Sequence, residues 1–142
     1  MDTPVLRVVG WTKRRRHPYG IMMYTQLSFI GLRELEARLS DGSIGMQAMR
    51  VLTAMIAACD YENVVHKGQK DLARELEMAQ QHVSRAVRAL LECGFLEQPG
   101  SSRGYYVVSP RLCWKGGEES LRRALAERKM LDKDGYLCPA AA

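Results

Sequence analysis

The feature that most constrains this chain is a double helical period in its middle, followed at once by a hairpin pattern. Gln69, Leu72, Ala73 and Leu76 recur at i, i+3, i+4 and i+7, the spacing of one helix face. A second amphipathic segment runs from Gln80 to Cys93. With about 100° of turn per helical residue and Gln81 set at zero, Arg88 falls near −20°, Arg85 near +40° and Ser84 near −60°. Val83, Ala86, Val87 and Leu90 occupy the opposite side, between about 140° and 240°. One side of this helix is built to pack and the other to meet solvent or a partner. Ala73 supplies a small residue where the two helices would cross.

Gly94 then marks a helix end in the left-handed conformation. Phe95 and Leu96 open a strand, and Tyr105 to Val108 return from a tip made of Pro99, Gly100, Ser101, Ser102, Arg103 and Gly104. Two short helices joined by a tight turn and followed by such a hairpin are the pattern of a winged helix-turn-helix. The fold class expected is therefore α+β and mostly helical, with that unit at its centre.

The exposed face carries residue types suited to base edges. Arg and Gln match guanine and adenine in the major groove through forked hydrogen bonds, and Ser serves either a base or a phosphate. Gln80, Gln81, Ser84, Arg85 and Arg88 are the candidate base contacts. A solvated polar face is the plain alternative, but positions 78 to 91 hold no carboxylate, and a wing follows directly. His82 lies on the flank, as a phosphate or water contact rather than a metal ligand. Lys67 and Lys70 at the start of the first helix, and Arg103 at the wing tip, are candidate backbone or minor-groove contacts. An ordinary flexible hairpin tip would look the same as the last of these.

Charge is distributed to suit this reading. Residues 1–20 carry five basic groups against one acidic, residues 21–65 three against five, residues 66–116 eight against five, and the rest balance. Positive charge gathers where a polyanion would gain by releasing counterions. In the first segment Lys13, Arg14, Arg15 and Arg16 precede His17, between Trp11 and Tyr19. They form either a solvated turn or an arm along phosphates or in the minor groove. The β-prone segments Leu6–Val9 and Tyr19–Leu27 would pair as a hairpin around that bend, or offer strands to a second copy.

Two further helices are expected before the reading unit. Ser28 is a fair N-cap for the first, with Leu32, Leu35 and Leu39 along its stripe and Asp41, Gly42 and Ser43 at its end. The second runs from about Gly45 to Cys59 on Ala48, Val51, Leu52, Met55, Ile56 and Cys59. A last helix, Gly117 to Met130, has a narrow stripe of Leu121, Ala124 and Leu125 that would pack on the domain or on a second copy, the favoured reading being a homodimer contact that would serve paired DNA half-sites. The tail from Lys133 to Ala142 reads as frayed. The expected layout is a basic arm with a β-hairpin over 1–27, the winged unit over 28–116 and a C-terminal helix and tail over 117–142, together one compact domain.

Other chemistries find no support. Cys59, Cys93, Cys113 and Cys138 show neither CxxC spacing nor a neighbouring His pair, so no metal, disulfide or redox site is indicated. Asp60 and Glu62 flank Tyr61 and read as a polar loop. There is no phosphate loop, GxSxG or HExxH, so no catalytic residue, cofactor or small-molecule ligand is expected. Without a signal peptide or a long apolar run, a cytoplasmic location is expected, with double-stranded DNA as partner and no membrane.

The series DYENVVHKGQKDLARELEMAQQHVSRAVRALLECGFLEQ, a short wing, and then SPRLCWKGG at Ser109 to Gly117 resembles the RepL family of bacterial plasmid replication proteins. The closing signature is the specific part, since many winged helices share the helix pair. The resemblance runs from about Tyr19 to Leu125. It implies a winged helix that binds plasmid or phage DNA in replication initiation or its control, with Gln80 to Arg88 in the reading helix. A repressor at a promoter operator and a protein-interaction module are the alternative roles. Glu77 departs from the usual pattern, standing where such turns often have Gly.

Overall fold

The computed structural model describes residues 25–100 and 105–139. The segments Leu6–Val9, Lys13–Arg16 and the wing tip with Arg103 lie outside the described residues, as do the last three alanines. The described chain is an α+β fold of winged-helix type.

Strand β1 (Gln26–Leu27) leads into helix α1 (Phe29–Ser40). Ser28 caps that helix, its Oγ accepting the Gly31 N–H at 3.1 Å. Gly31 is there for close approach: a Cβ on it would sit 2.4 Å from the Arg111 carbonyl oxygen and 2.6 Å from the Leu112 Cα. Only the first half of α1 touches the core, through Gly31, Leu32 and Leu35. Leu39, expected on the buried stripe, is 38% exposed because the helix runs past the edge of the core before reaching it. The helix ends as expected, where Asp41 Oδ1 accepts the Ser43 N–H at 2.8 Å.

Helix α2 (Met46–Ala58) is the central rod, with Ala48, Val51, Leu52 and Met55 buried. Its chief partner is α4 (Gln80–Glu92), which packs beside the shorter α3 (Gln69–Leu76). Val83, Ala86, Val87 and Leu90 on α4, and Leu72 on α3, complete the core with Phe95, Leu96 and Val108.

Three strands form an antiparallel sheet in the order β2 (Val64–Val65), β4 (Tyr106–Val108), β3 (Leu96–Glu97). Leu96 pairs with Val108 and Glu97 with Val107, which is the base of the expected wing. On the other edge of β4, Val64 pairs with Val107 and Val65 with Tyr106. Sequence periodicity could not reveal β2, because two residues are too few to show alternation.

Strand β1 pairs with β5 (Cys113–Trp114), Gln26 opposite Trp114 and Leu27 opposite Cys113. The described end of Tyr19–Leu27 thus pairs with the segment after the wing, and the hairpin expected between Leu6–Val9 and Tyr19–Leu27 lies outside the described residues. The Ser28 N–H continues the ladder to the Leu112 carbonyl at 2.9 Å.

The C-terminal helix α5 (Glu118–Glu127) buries Ser120, Ala124 and Leu125 within the chain itself. Ala124 and Leu125 of the expected stripe are thus covered within the chain, as packing on the domain would require, while Leu121 is half-buried. Arg128 just beyond holds Glu97 of β3 with two bonds of 2.7 Å, tying this end to the wing. Lys133–Pro139 is not frayed. Asp132 accepts the N–H groups of Asp134 and Tyr136 at 2.9 Å each, Leu131 bridges Leu137, and the Cys138 N–H reaches the Met130 carbonyl at 2.9 Å. An Asx-type turn and a hairpin closure therefore order a segment whose composition alone suggests fraying.

Candidate nucleic-acid interface

Helix α4 faces as its periodicity requires. Gln80, Gln81, Arg85 and Arg88 are exposed and Ser84 is half-buried on the same side, with Val83, Ala86, Val87 and Leu90 against the core. Among the described residues none of the five has its side chain in a hydrogen bond or ion pair. Their forked donors and acceptors are unspent, which is what a base-reading face needs. His82 is half-buried at the flank.

The turn that aims α4 is built around Glu77. Its backbone lies at φ 53, ψ 47, in the left-handed region. The Glu77 N–H reaches Arg74 and the Met78 N–H reaches the Ala73 carbonyl at 3.0 Å, closing α3 in a Schellman motif. The residue that departs from the usual Gly therefore holds the conformation Gly would. Arg50 of α2 reinforces the turn by donating from Nη2 to the Leu76 carbonyl at 2.8 Å, a contact that no sequence pattern announced. Ala79 caps α4 without a side-chain hydrogen bond, leaving backbone N–H groups of the first turn unspent.

The two flanking lysines differ. Lys67 is engaged within the chain, its Nζ 2.7 Å from both oxygens of Glu75, whereas Lys70 is exposed with no ion pair among the described residues. The structure thus keeps Lys70 as a candidate backbone contact and turns Lys67 toward α3. Lys13, Arg14, Arg15, Arg16 and Arg103 lie outside the described residues.

Between α3, α4 and the base of the wing opens a cleft of about 650 Å³, with Gln69, Lys70, Gln80, Ser84, Arg88 and Tyr106 among its walls. A more apolar hollow of about 450 Å³ lies elsewhere, where α1 meets the end of α4 and the Arg111 segment.

The signature after the wing explains itself as scaffolding. Ser109 Oγ accepts the Arg111 N–H at 3.2 Å, Arg111 clasps Glu34 of α1 with two bonds of 2.7 Å, and Trp114 Nε1 donates to Ser120 Oγ at 3.2 Å. The polar loop before β2 holds Asn63, whose buried side chain bonds three backbone groups and which sequence reasoning passed over. Its neighbours Asp60 and Glu62 are exposed, Asp60 3.6 Å from His66. Cys59, Cys93, Cys113 and Cys138 are free thiols; burial raises the Cys59 thiol and pushes Cys113 up to about 12, so both stay protonated. Among the described residues no helix is long and apolar enough to cross a membrane.

A two-helix unit with an unspent polar face, a small antiparallel sheet and a wing base define a winged-helix-like protein. Residues 34–135 match the model of the Firmicute plasmid replication protein family, RepL, and the chain belongs to that family. The match begins within α1 and runs through α5 to Gly135, later at both ends than the signature alone suggests, and it excludes the basic run at Lys13–Arg16. No curated protein and no solved structure matches the chain.

Proposed function

We propose that this protein is a sequence-specific double-stranded DNA-binding protein that acts in plasmid replication, at initiation or its control. The observation that carries the reading is the α4 face, on which two glutamines, a serine and two arginines stand together with no partner in the described chain. Family membership supplies the setting, and the net positive charge over 66–116 suits a polyanion. The role is one of binding rather than catalysis. Two chains on paired half-sites are the expected stoichiometry, because one reading helix spans only a few base pairs.

Fluorescence anisotropy with duplexes from a plasmid origin, against scrambled duplexes of equal length, tests this directly. Arg85→Ala is expected to weaken binding by about 1–3 kcal/mol and relax preference at one base pair. Supplying the gene should also restore replication to a plasmid stripped of its own initiator. If the Arg85→Ala, Arg88→Ala double variant holds duplexes as well as the natural chain, the face serves a protein partner and the reading falls.

A further inference from the structure

The cleft beside the reading helix has a chemistry of its own. Lys70 and Arg88 line it, together with Gln69, Gln80, Ser84 and Gln98, and among the described residues no carboxylate does. At its wall stands Tyr106 of β4, only 5% exposed. The Tyr106 hydroxyl oxygen accepts a hydrogen bond from Gln69 Nε2 at 3.2 Å. The phenol's own proton is given no acceptor among the described residues, so at the wall of an open cleft it is available to a ligand. Gln69 Nε2 carries a second N–H as well. Two neutral donors side by side, in a cleft that two cations also line and no carboxylate among the described residues does, form a receptor for an anionic oxygen.

We propose that this cleft seats a phosphate of the DNA duplex, with Tyr106 Oη and Gln69 Nε2 as its neutral donors and Lys70 and Arg88 as its counter-charges. The inference rests on the DNA-binding reading and deepens it. Tyr106 sits on the wing strand and Gln69 on the first residue of α3, so one phosphate bridging them would lock wing and helix pair into a single register on the backbone. Neither residue belongs to the exposed face of α4.

The test uses the full chain and a random-sequence duplex of about 20 base pairs at low salt, since a phosphate seat is indifferent to sequence. Tyr106→Phe should lower affinity about three- to tenfold while leaving the dependence of log affinity on log salt unchanged, because no charge is removed. Gln69→Glu keeps a partner for the Tyr106 hydroxyl, and so the local fold, but places a carboxylate in the seat. It should lower affinity at least about tenfold more than Gln47→Glu, an exposed control on α2 with the same change in net charge. Thermal unfolding of Gln69→Glu within a few degrees of the natural chain separates the seat from simple loss of structure. Equal affinities for Gln69→Glu and Gln47→Glu, or a Tyr106→Phe chain that binds as tightly as the natural one, overturn the seat while the DNA reading stands. A natural chain that holds no duplex at low salt overturns both.

Discussion

Asn63 Oδ1 accepts the backbone N–H of Lys115 at 2.9 Å, across a gap of fifty-two residues in the chain. From the same side chain, Nδ2 donates to the carbonyls of Val108 at 2.8 Å and Cys113 at 2.7 Å. One fully buried amide thereby joins the loop before β2 to the end of the wing strand and to β5. Its backbone, at φ 66, is in the left-handed region that Asn tolerates better than most residues.

Replacing Asn63 by Ala removes the partner of three backbone groups, two of them in buried bonds, and puts at positive φ a residue that tolerates it less well than Asn. Loss of about 3 kcal/mol or more is expected in urea unfolding, on the scale of 1–3 kcal/mol per buried group left unpaired. A loss below about 1 kcal/mol would show that the junction is not a keystone.

Glu77 holds a left-handed conformation that a Cβ disfavours by about 1–2 kcal/mol, whereas Gly would add flexibility to the unfolded chain. The balance predicts that Glu77→Gly stabilises the protein by about 0.5–1 kcal/mol. A lower urea midpoint in that variant would mean that the glutamate makes a compensating contact.

Ala79 begins α4 without a side-chain cap. Ala79→Asp should stabilise the fold by about 0.5–2 kcal/mol through capping and the helix dipole. Under the proposed function the same carboxylate repels DNA, so duplex affinity should fall while the melting temperature rises. Parallel changes in both would argue that this end of α4 is turned away from the duplex.

Alkaline pH should weaken the fold through its buried thiols. Cys113 is held protonated up to about 12 by burial, with Cys59 nearby adding to the same direction. In the unfolded chain such a thiol ionises near its ordinary value of about 8.5. The folded pKa is raised, so the stabilisation is complete below the unfolded value and is lost as pH climbs toward the folded one. Urea midpoints compared at about pH 7.5 and about pH 10.5 should reveal a loss of the order of 2 kcal/mol from Cys113. The Cys113→Ala chain should lose less over the same interval, and an identical pH dependence in both proteins would refute the assignment.

How far the sequence could be read depends on the range of the signal. Helix α4 and its two faces followed from a period sustained over thirteen residues, and so did α2. Gly94, with φ 82, ends α4 in the left-handed turn that its type announces. Leu39 failed because periodicity tells which residues share a face, not where the core stops. Strands β2 and β5 were invisible, since each has two residues and exists only through a partner strand distant in sequence. The tail was misread because composition suggested fraying, while the turn around Asp132 is fastened by specific hydrogen bonds.

By itself the sequence determined the helices, the turn that separates α3 from α4 and the side of α4 that carries glutamine and arginine. These follow from interactions among residues a few positions apart, where side-chain type and helical geometry suffice. Only the tertiary structure decided that Lys67 is bound to Glu75, that Tyr106 meets Gln69, and that the SPRLCWKGG segment clamps α1 through Arg111 and Glu34. Each of those is settled by burial and hydrogen-bond satisfaction between segments far apart in the chain, which no local pattern encodes.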